Sequence, residues 1–188
     1  MIWQCKWDND TKEYLFDFYN ILDNMIENMT SVNLTYSISK NFIMQMIPHH
    51  QAAIEMSRSV LHYTENEKVR EIASNIIASQ TRSIEDMQSV EQSCSMITNS
   101  KQDVLLYQRQ FQNIVERMFQ GMEEAYANDN PTTNFMREMI PHHMGAVQMS
   151  ENLLRFCICP ELNPILDAII TSQLRGIAEM KFLLKCLS

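Results

Sequence analysis

The chain has 188 residues with only 3 glycines and 5 prolines, and 15 Lys and Arg against 23 Asp and Glu give a net charge of −8. The length suits one domain with a sizeable core. The acidic balance, with no basic cluster or RNA-binding aromatic motif, excludes a nucleic-acid partner, since phosphate binding needs a cationic face. No run of about 18 apolar residues is present to span a membrane.

Periodicity predicts six helices and no strands. The first runs from about Thr11 to Met29, with Tyr14, Phe18, Ile21, Met25 and Met29 at spacings of three and four. Asp10 is its expected N-cap, and Asp103 the equivalent cap later in the chain. After a polar connector at 30–35, a second helix is expected over about Ser39–Tyr63. A third is expected over about Glu65–Ser93, with Val69, Ile72, Ile76, Ile77, Ile84 and Met87 as its stripe. Three more follow near 103–127, 132–156 and 161–187, broken at Asn128–Pro131 and Cys159-Pro160. Long helices with short links imply an all-α, up-down bundle.

The second three helices repeat the first three without a gap, at an offset of 93 residues. Tyr14 matches Tyr107, Phe18 matches Phe111, Met25 matches Met118, Phe42 matches Phe135, Gln80 matches Gln173 and Met87 matches Met180. Two copies are too few for a solenoid. The chain therefore reads as a single domain, 1–188, made of two tandem three-helix repeats (about 10–95 and 103–187) with pseudo-twofold symmetry.

The repeat carries the most specific motif. Met46-Ile47-Pro48-His49-His50 recurs as Met139-Ile140-Pro141-His142-His143, followed at matched distances by Ala53 and Met56, and by Ala146 and Met149. With Met46 at 0° on a helix turning about 100° per residue, His50 falls near about 40°, His49 near about −60° and Met56 near about −80°. Glu55 and Arg58 fall on the opposite side. Both histidines thus face the apolar half. Each proline is expected inside a continuous helix, where Pro48 deletes the hydrogen bond to the carbonyl of Met44 and kinks the segment.

One core-facing histidine is usually a hydrogen-bonded packing residue. Two equivalent adjacent pairs with flanking thioethers point instead to a metal, because burying imidazoles costs free energy unless both nitrogens are satisfied. The candidate ligands are Met46, His49, His50, Met56, Met139, His142, His143 and Met149, with Met87 and Met180 as further donors. A His/Met set without carboxylate suits Cu(I) or Ag(I); zinc or another transition metal is the alternative. Imidazole ligation predicts affinity that falls below about pH 6. A di-iron site would need Glu-x-x-His, which does not occur, and Glu138 before His142 is answered by Gln45 before His49.

The pattern Phe-x-x-x-Met-Ile-Pro-His-His-x-x-Ala-x-x-Met resembles the signature of the bacterial family called "domain of unknown function 305". Gln80…Met87 and Gln173…Met180 resemble its second element, where relatives often carry Glu-Ile and this chain has Ser83-Ile84 and Gly176-Ile177. The resemblance implies a ferritin-like helical bundle and, from some relatives, copper or silver binding through Met and His. The expected function is metal sequestration or trafficking without turnover, the partner being the metal ion, with a homo-oligomer left open. Two rivals stand beside it: a structural or partner-binding bundle, and a ferritin-like metal-dependent oxidoreductase.

The N-terminus, MIWQCKWDND, lacks the apolar core of a leader, so the chain as given reads as cytoplasmic, while exported relatives leave an envelope location open. Five cysteines form no even disulfide framework, and free thiols are expected. Cys157 and Cys159 read as a link with incidental thiols or an accessory soft-metal pair, and Cys94 and Cys186 as packing residues. Tyr14 and Tyr107 are candidate donors to a buried histidine. No nucleophile triad, phosphate loop or dinucleotide fingerprint is present.

Overall fold

The computed structural model describes residues 7–187, and these form six helices with no strand. They are α1 (Asn9–Thr30), α2 (Ile38–Tyr63), α3 (Glu67–Ser95), α4 (Lys101–Glu123), α5 (Pro131–Leu153) and α6 (Leu162–Cys186). Asp8, Ser37, Asn66, Ser100 and Asn130 cap the first five, each from extended backbone with its side chain accepting an orphan helix N–H. The expected caps Asp10 and Asp103 lie instead within the first turns, where a carboxylate meets the positive end of the helix dipole. The N-cap itself sits just before the helix, where extended backbone aims its side chain at the leading amides. Asp8 does so at α1, accepting from the Thr11 N–H at 2.7 Å.

Helices α2 and α5 run through the middle. α2 packs on α1, α3 and α5, and α5 packs on α4 and α6; α3 meets α6 along a seam. Hence α2 and α5 are buried on more than one face, and they bury polar side chains as well as apolar ones, among them Asn41, Gln45 and Ser57 on α2 and Asn134, Glu138 and Ser150 on α5. One apolar cluster draws on all six helices, including Tyr14, Phe42, Met87, Tyr107, Phe135 and Leu166. Each such side chain contributes about 1.5–3 kcal/mol by leaving water. Close helix approach is visible at Gly145, where a methyl group would overlap the Met118 sulfur.

The connectors are tied by equivalent amides. Asn41 accepts from the Thr35 N–H and donates to the Thr35 carbonyl, and Asn134 does the same with Asn128. Pro48 and Pro141 both sit inside continuous helices, as the unbroken apolar stripe requires.

The cysteines depart from expectation. Cys94, at the end of α3, and Cys159, in the α5–α6 connector, form a disulfide across 65 residues of sequence. Cys159 is therefore no soft-metal ligand beside Cys157, and Cys186 is exposed rather than packed. Cysteine parity could not reveal this pair, because the bonded residues come from different repeats at unmatched positions.

Candidate metal centre

The central helices bring the four motif histidines into one cluster. His49 and His142 stack, with ring centroids 3.7 Å apart and planes at 26°. Nε2 of His49 lies 3.2 Å from the carbonyl oxygen of His142, and Nε2 of His142 lies 3.2 Å from that of His49. A carbonyl can only accept, so each Nε2 carries the proton and donates. The Nδ1 of each inner ring is consequently a bare lone pair. The carbonyls engaged belong to the partner histidines, not to Met44, whose amide partner Pro48 removes.

The outer rings extend the cluster. His50 presents Nδ1 to Nδ1 of His49 at 3.5 Å, and its Nε2 lies 3.0 Å from the Ser83 hydroxyl on α3. On the other side, Nδ1 of His142 and Nδ1 of His143 are both buried with no hydrogen-bond partner. Orphaned buried nitrogens are uncommon and call for a reason. All four rings are at most 2 % exposed.

Burial dominates the electrostatics. Desolvation lowers the pKa of every ring, to about 3 at His50 and to about 4 at His142. His49 and His143 are held well below the ordinary imidazole value, first by burial and then by repulsion from neighbouring rings, His142 foremost. The imidazoles are thus neutral across the physiological range, the state a metal requires.

The donor spacing can be set against what a metal ion requires. At metal–nitrogen lengths of about 2.0–2.1 Å, two donors stand about 3.3 Å apart around a tetrahedral centre and about 4 Å apart around a linear one. The His49–His50 separation lies between these. Outer-sphere carbonyls already hold Nε2–H of both inner rings, the support that ligating histidines normally have. The candidate methionines Met46, Met56, Met139 and Met149 are buried on the same two helices, but the contacts that join the cluster are made by imidazoles. Met87 and Met180 are buried on α3 and α6. Among the described residues, the one group of three His, Cys, Asp or Glu donors within ligand range is Cys94, Cys159 and Glu161, whose sulfurs are bonded to each other.

The two motif tyrosines serve another pair. Tyr14 donates to Glu138 at 2.5 Å and Tyr107 donates to Gln45 at 2.8 Å, rather than to histidines. These bonds tie α1 to α5 and α4 to α2. The residues four before His142 and His49 are therefore buried hydrogen-bond acceptors, a role that the sequence mismatch between Glu138 and Gln45 concealed. Burial pushes the Glu138 carboxyl up to about 8, against the opposing effect of the Tyr14 hydrogen bond. The folded state then holds a proton that the unfolded chain releases near pH 4.5, so stability falls as pH rises toward 8. Between pH 6.5 and 8 this amounts to about 2 kcal/mol. Glu138→Gln keeps the Tyr14 acceptor, as Gln45 does for Tyr107, and is expected to abolish that alkaline decline in urea unfolding at pH 6.5 and 8.

Comparison places these features in context. A family described as "Domain of unknown function (DUF305)" matches residues 39–184. A DUF305 fragment from Deinococcus radiodurans, at 23% identity, covers 78% of this chain and 95% of its own with a TM-score of 0.57, which speaks to the fold. CopM in an Ag-bound form, at 30% identity, covers 80% of this chain and 97% of its own with a TM-score of 0.59. CopM in a Cu(II)-bound form is similar, at 29% identity and a TM-score of 0.59 over the same shares. Among curated proteins, "Uncharacterized protein L153" of Acanthamoeba polyphaga mimivirus is 37% identical over 51 residues, and the match spans about a third of that relative's length (34%) and 27% of this chain. With a match that runs from the start of α2 almost to the end of α6, this chain belongs to the DUF305 family.

Proposed function

We propose that this protein binds a soft metal ion, Cu(I) or its mimic Ag(I), at the His49, His50, His142 and His143 cluster, and acts in metal sequestration or trafficking. The observation that carries the reading is a set of neutral, buried imidazoles whose inner Nε2–H groups are already bonded to carbonyls while Nδ1 of His142 and Nδ1 of His143 have no partner. CopM structures with Ag and with Cu(II) support the class of ion. In this reading a ferritin-like bundle forms one domain, each repeat supplies half of a shared site, and Met46, Met56, Met139 and Met149 offer thioethers to complete it. Pairs of imidazole donors suit ions that accept low coordination numbers better than zinc, whose structural sites take four ligands. The Cys94–Cys159 disulfide favours an oxidising compartment over a reducing one.

A structural role for the histidines has one observation in its favour: the reciprocal His49–His142 bonds fasten α2 to α5 without any ion. It leaves the unpartnered Nδ1 atoms unexplained. Among the described residues neither a carboxylate nor a third imidazole completes a three-donor group at the histidines, which speaks against a carboxylate-bridged redox site and leaves pairs of imidazoles as the donor units.

Anaerobic Cu(I) titration against a competing chelator separates these readings. Wild type is expected to take up the ion, and the His49→Gln/His50→Gln/His142→Gln/His143→Gln variant to lose that uptake. The His50→Gln/His143→Gln variant, which keeps the inner stacked pair and so the α2–α5 fastening, is expected to bind at least about tenfold more weakly, the usual scale for losing part of a coordination shell. Equal uptake by all three proteins rejects the assignment.

A further inference from the structure

The two halves of the cluster are built alike but do not end alike. His50 and His143 are the outer rings, and each faces the seam between α3 and α6. Across the first, Ser83 lies with its hydroxyl 3.0 Å from Nε2. The equivalent position across the second is Gly176. Nε2 of His143 therefore meets no hydrogen-bond partner among the described residues, and its ring lines a cavity of about 380 Å³ that opens along the seam. The cavity that reaches His50 is about 190 Å³ and is lined by Ser83 itself.

Glycine is required at position 176 by close approach. A Cβ there would stand 2.9 Å from Cδ2 and 3.0 Å from Nε2 of His143, too near for the ring to keep its place. Any side chain would displace the imidazole or cover its nitrogen. Both cavities are also lined by Gln80 and Gln173. Gln80 is 2 % exposed, and neither its amide oxygen nor its amide nitrogen has a partner; the amide oxygen of Gln173, 3 % exposed, lacks one too. Amide oxygens left bare at the neck of a cavity can stand in for water around a cation that sheds its hydration shell. The Gly176-side cavity is lined by Arg82, Arg175 and Glu179 and the His50-side cavity by Arg82 and Asp86, so charge does not favour the first mouth, and the difference between them lies in which imidazole nitrogen is left uncovered.

We propose that ions reach the histidine cluster through the α3/α6 cavity on the Gly176 side, where His143 is the first imidazole met, and that Ser83 closes the matching mouth at His50. This rests on the metal-binding reading and adds a direction to it. His143 is suited to the role because it has an unpartnered nitrogen on each side of the ring, Nε2 toward the cavity and Nδ1 toward the interior.

Long-range proton–nitrogen NMR on protein labelled with ¹⁵N-histidine, titrated with Ag(I), resolves each ring separately. At sub-stoichiometric Ag(I), the His143 nitrogens are expected to respond before those of His50. Stopped-flow uptake of Ag(I) is expected to slow about tenfold in Gly176→Ser, the factor that an off-rotamer displacement of the ring imposes. Ser83→Gly adds no bulk and opens the second mouth, so His50 should then respond together with His143. Parallel response of His50 and His143 in the wild type, or Gly176→Ser uptake at the wild-type rate, overturns the proposal while leaving metal binding intact. Ag(I) that shifts no histidine at all overturns the metal-binding reading as well.

Discussion

Acidification from pH 7 to pH 5 is expected to remove most of the stability of the metal-free protein. Four imidazoles titrate near pH 6.5 in the unfolded chain, but burial holds them neutral in the fold, to about pH 3 at His50 and about pH 4 at His142. Below pH 6.5 the unfolded state binds protons that the folded state refuses. The stability that the four rings contribute is therefore complete above that pH and declines as pH drops toward the folded values. At pH 5 His50 and His142 each cost roughly 2 kcal/mol, and His49 and His143 add in the same direction, a large part of the 5–15 kcal/mol that typically holds a domain together. Glu138 acts in the opposite sense over the whole of this range and offsets roughly 2–3 kcal/mol, but it is one group against four. Urea unfolding at pH 7.5, 6 and 5 checks this, with a sharp drop in midpoint expected. An unchanged midpoint between pH 7.5 and 5 would show that the rings are not buried as described. The acid limit expected for metal binding moves with the depressed ring values. Under the proposed metal binding, proton competition in the folded state is delayed well below pH 6, so loss of the ion in acid should follow unfolding, and saturating Ag(I) should postpone both.

Opening the Cys94–Cys159 disulfide is expected to cost about 4 kcal/mol, the loop-closure value for the 65-residue separation. The bond joins the end of the first repeat to the last connector of the second, and both cysteines are fully buried. Its surroundings are fixed by hydrogen bonds. The Ser37 hydroxyl donates to the Cys94 carbonyl at 2.8 Å, and the Cys159 N–H donates to the Ser39 hydroxyl oxygen at 2.9 Å. Without the cross-link, the end of α3 loses its covalent tether to the α5–α6 connector, and hydrogen bonds through Ser37 and Ser39 are left to join the two. For a chain of this size the melting temperature should fall by roughly 10 °C on full reduction or in Cys94→Ala/Cys159→Ala. Calorimetry with and without reductant, with thiol counting to confirm reduction, tests the value. A reduced protein that melts with the oxidised one rejects it.

The helices and their order were legible because each carries a 3.6-residue apolar stripe and the whole pattern occurs twice. Residues that the helical wheel placed inward, Phe42, Met46, His49, His50, Ala53 and Met56, are buried, and Glu55 and Arg58 are exposed. Caps were less legible. Asp10 has the right chemistry, yet Asp8 is the residue whose extended backbone lets a carboxylate reach the free amides.

Local order in the sequence by itself determined that this protein is all-helical, that its halves correspond, and that both histidines of each motif face inward, since periodicity and duplication are properties of neighbours along the chain. Only the tertiary structure decided that His49 and His142 bond to each other's carbonyls, that Tyr14 and Tyr107 serve Glu138 and Gln45, that Cys94 finds Cys159, and that Ser83 covers His50 where Gly176 leaves His143 bare. Each of these depends on how α2, α5 and their flanking helices pack, and ring nitrogens meet or miss their partners through shifts of an ångström that no spacing in one dimension records.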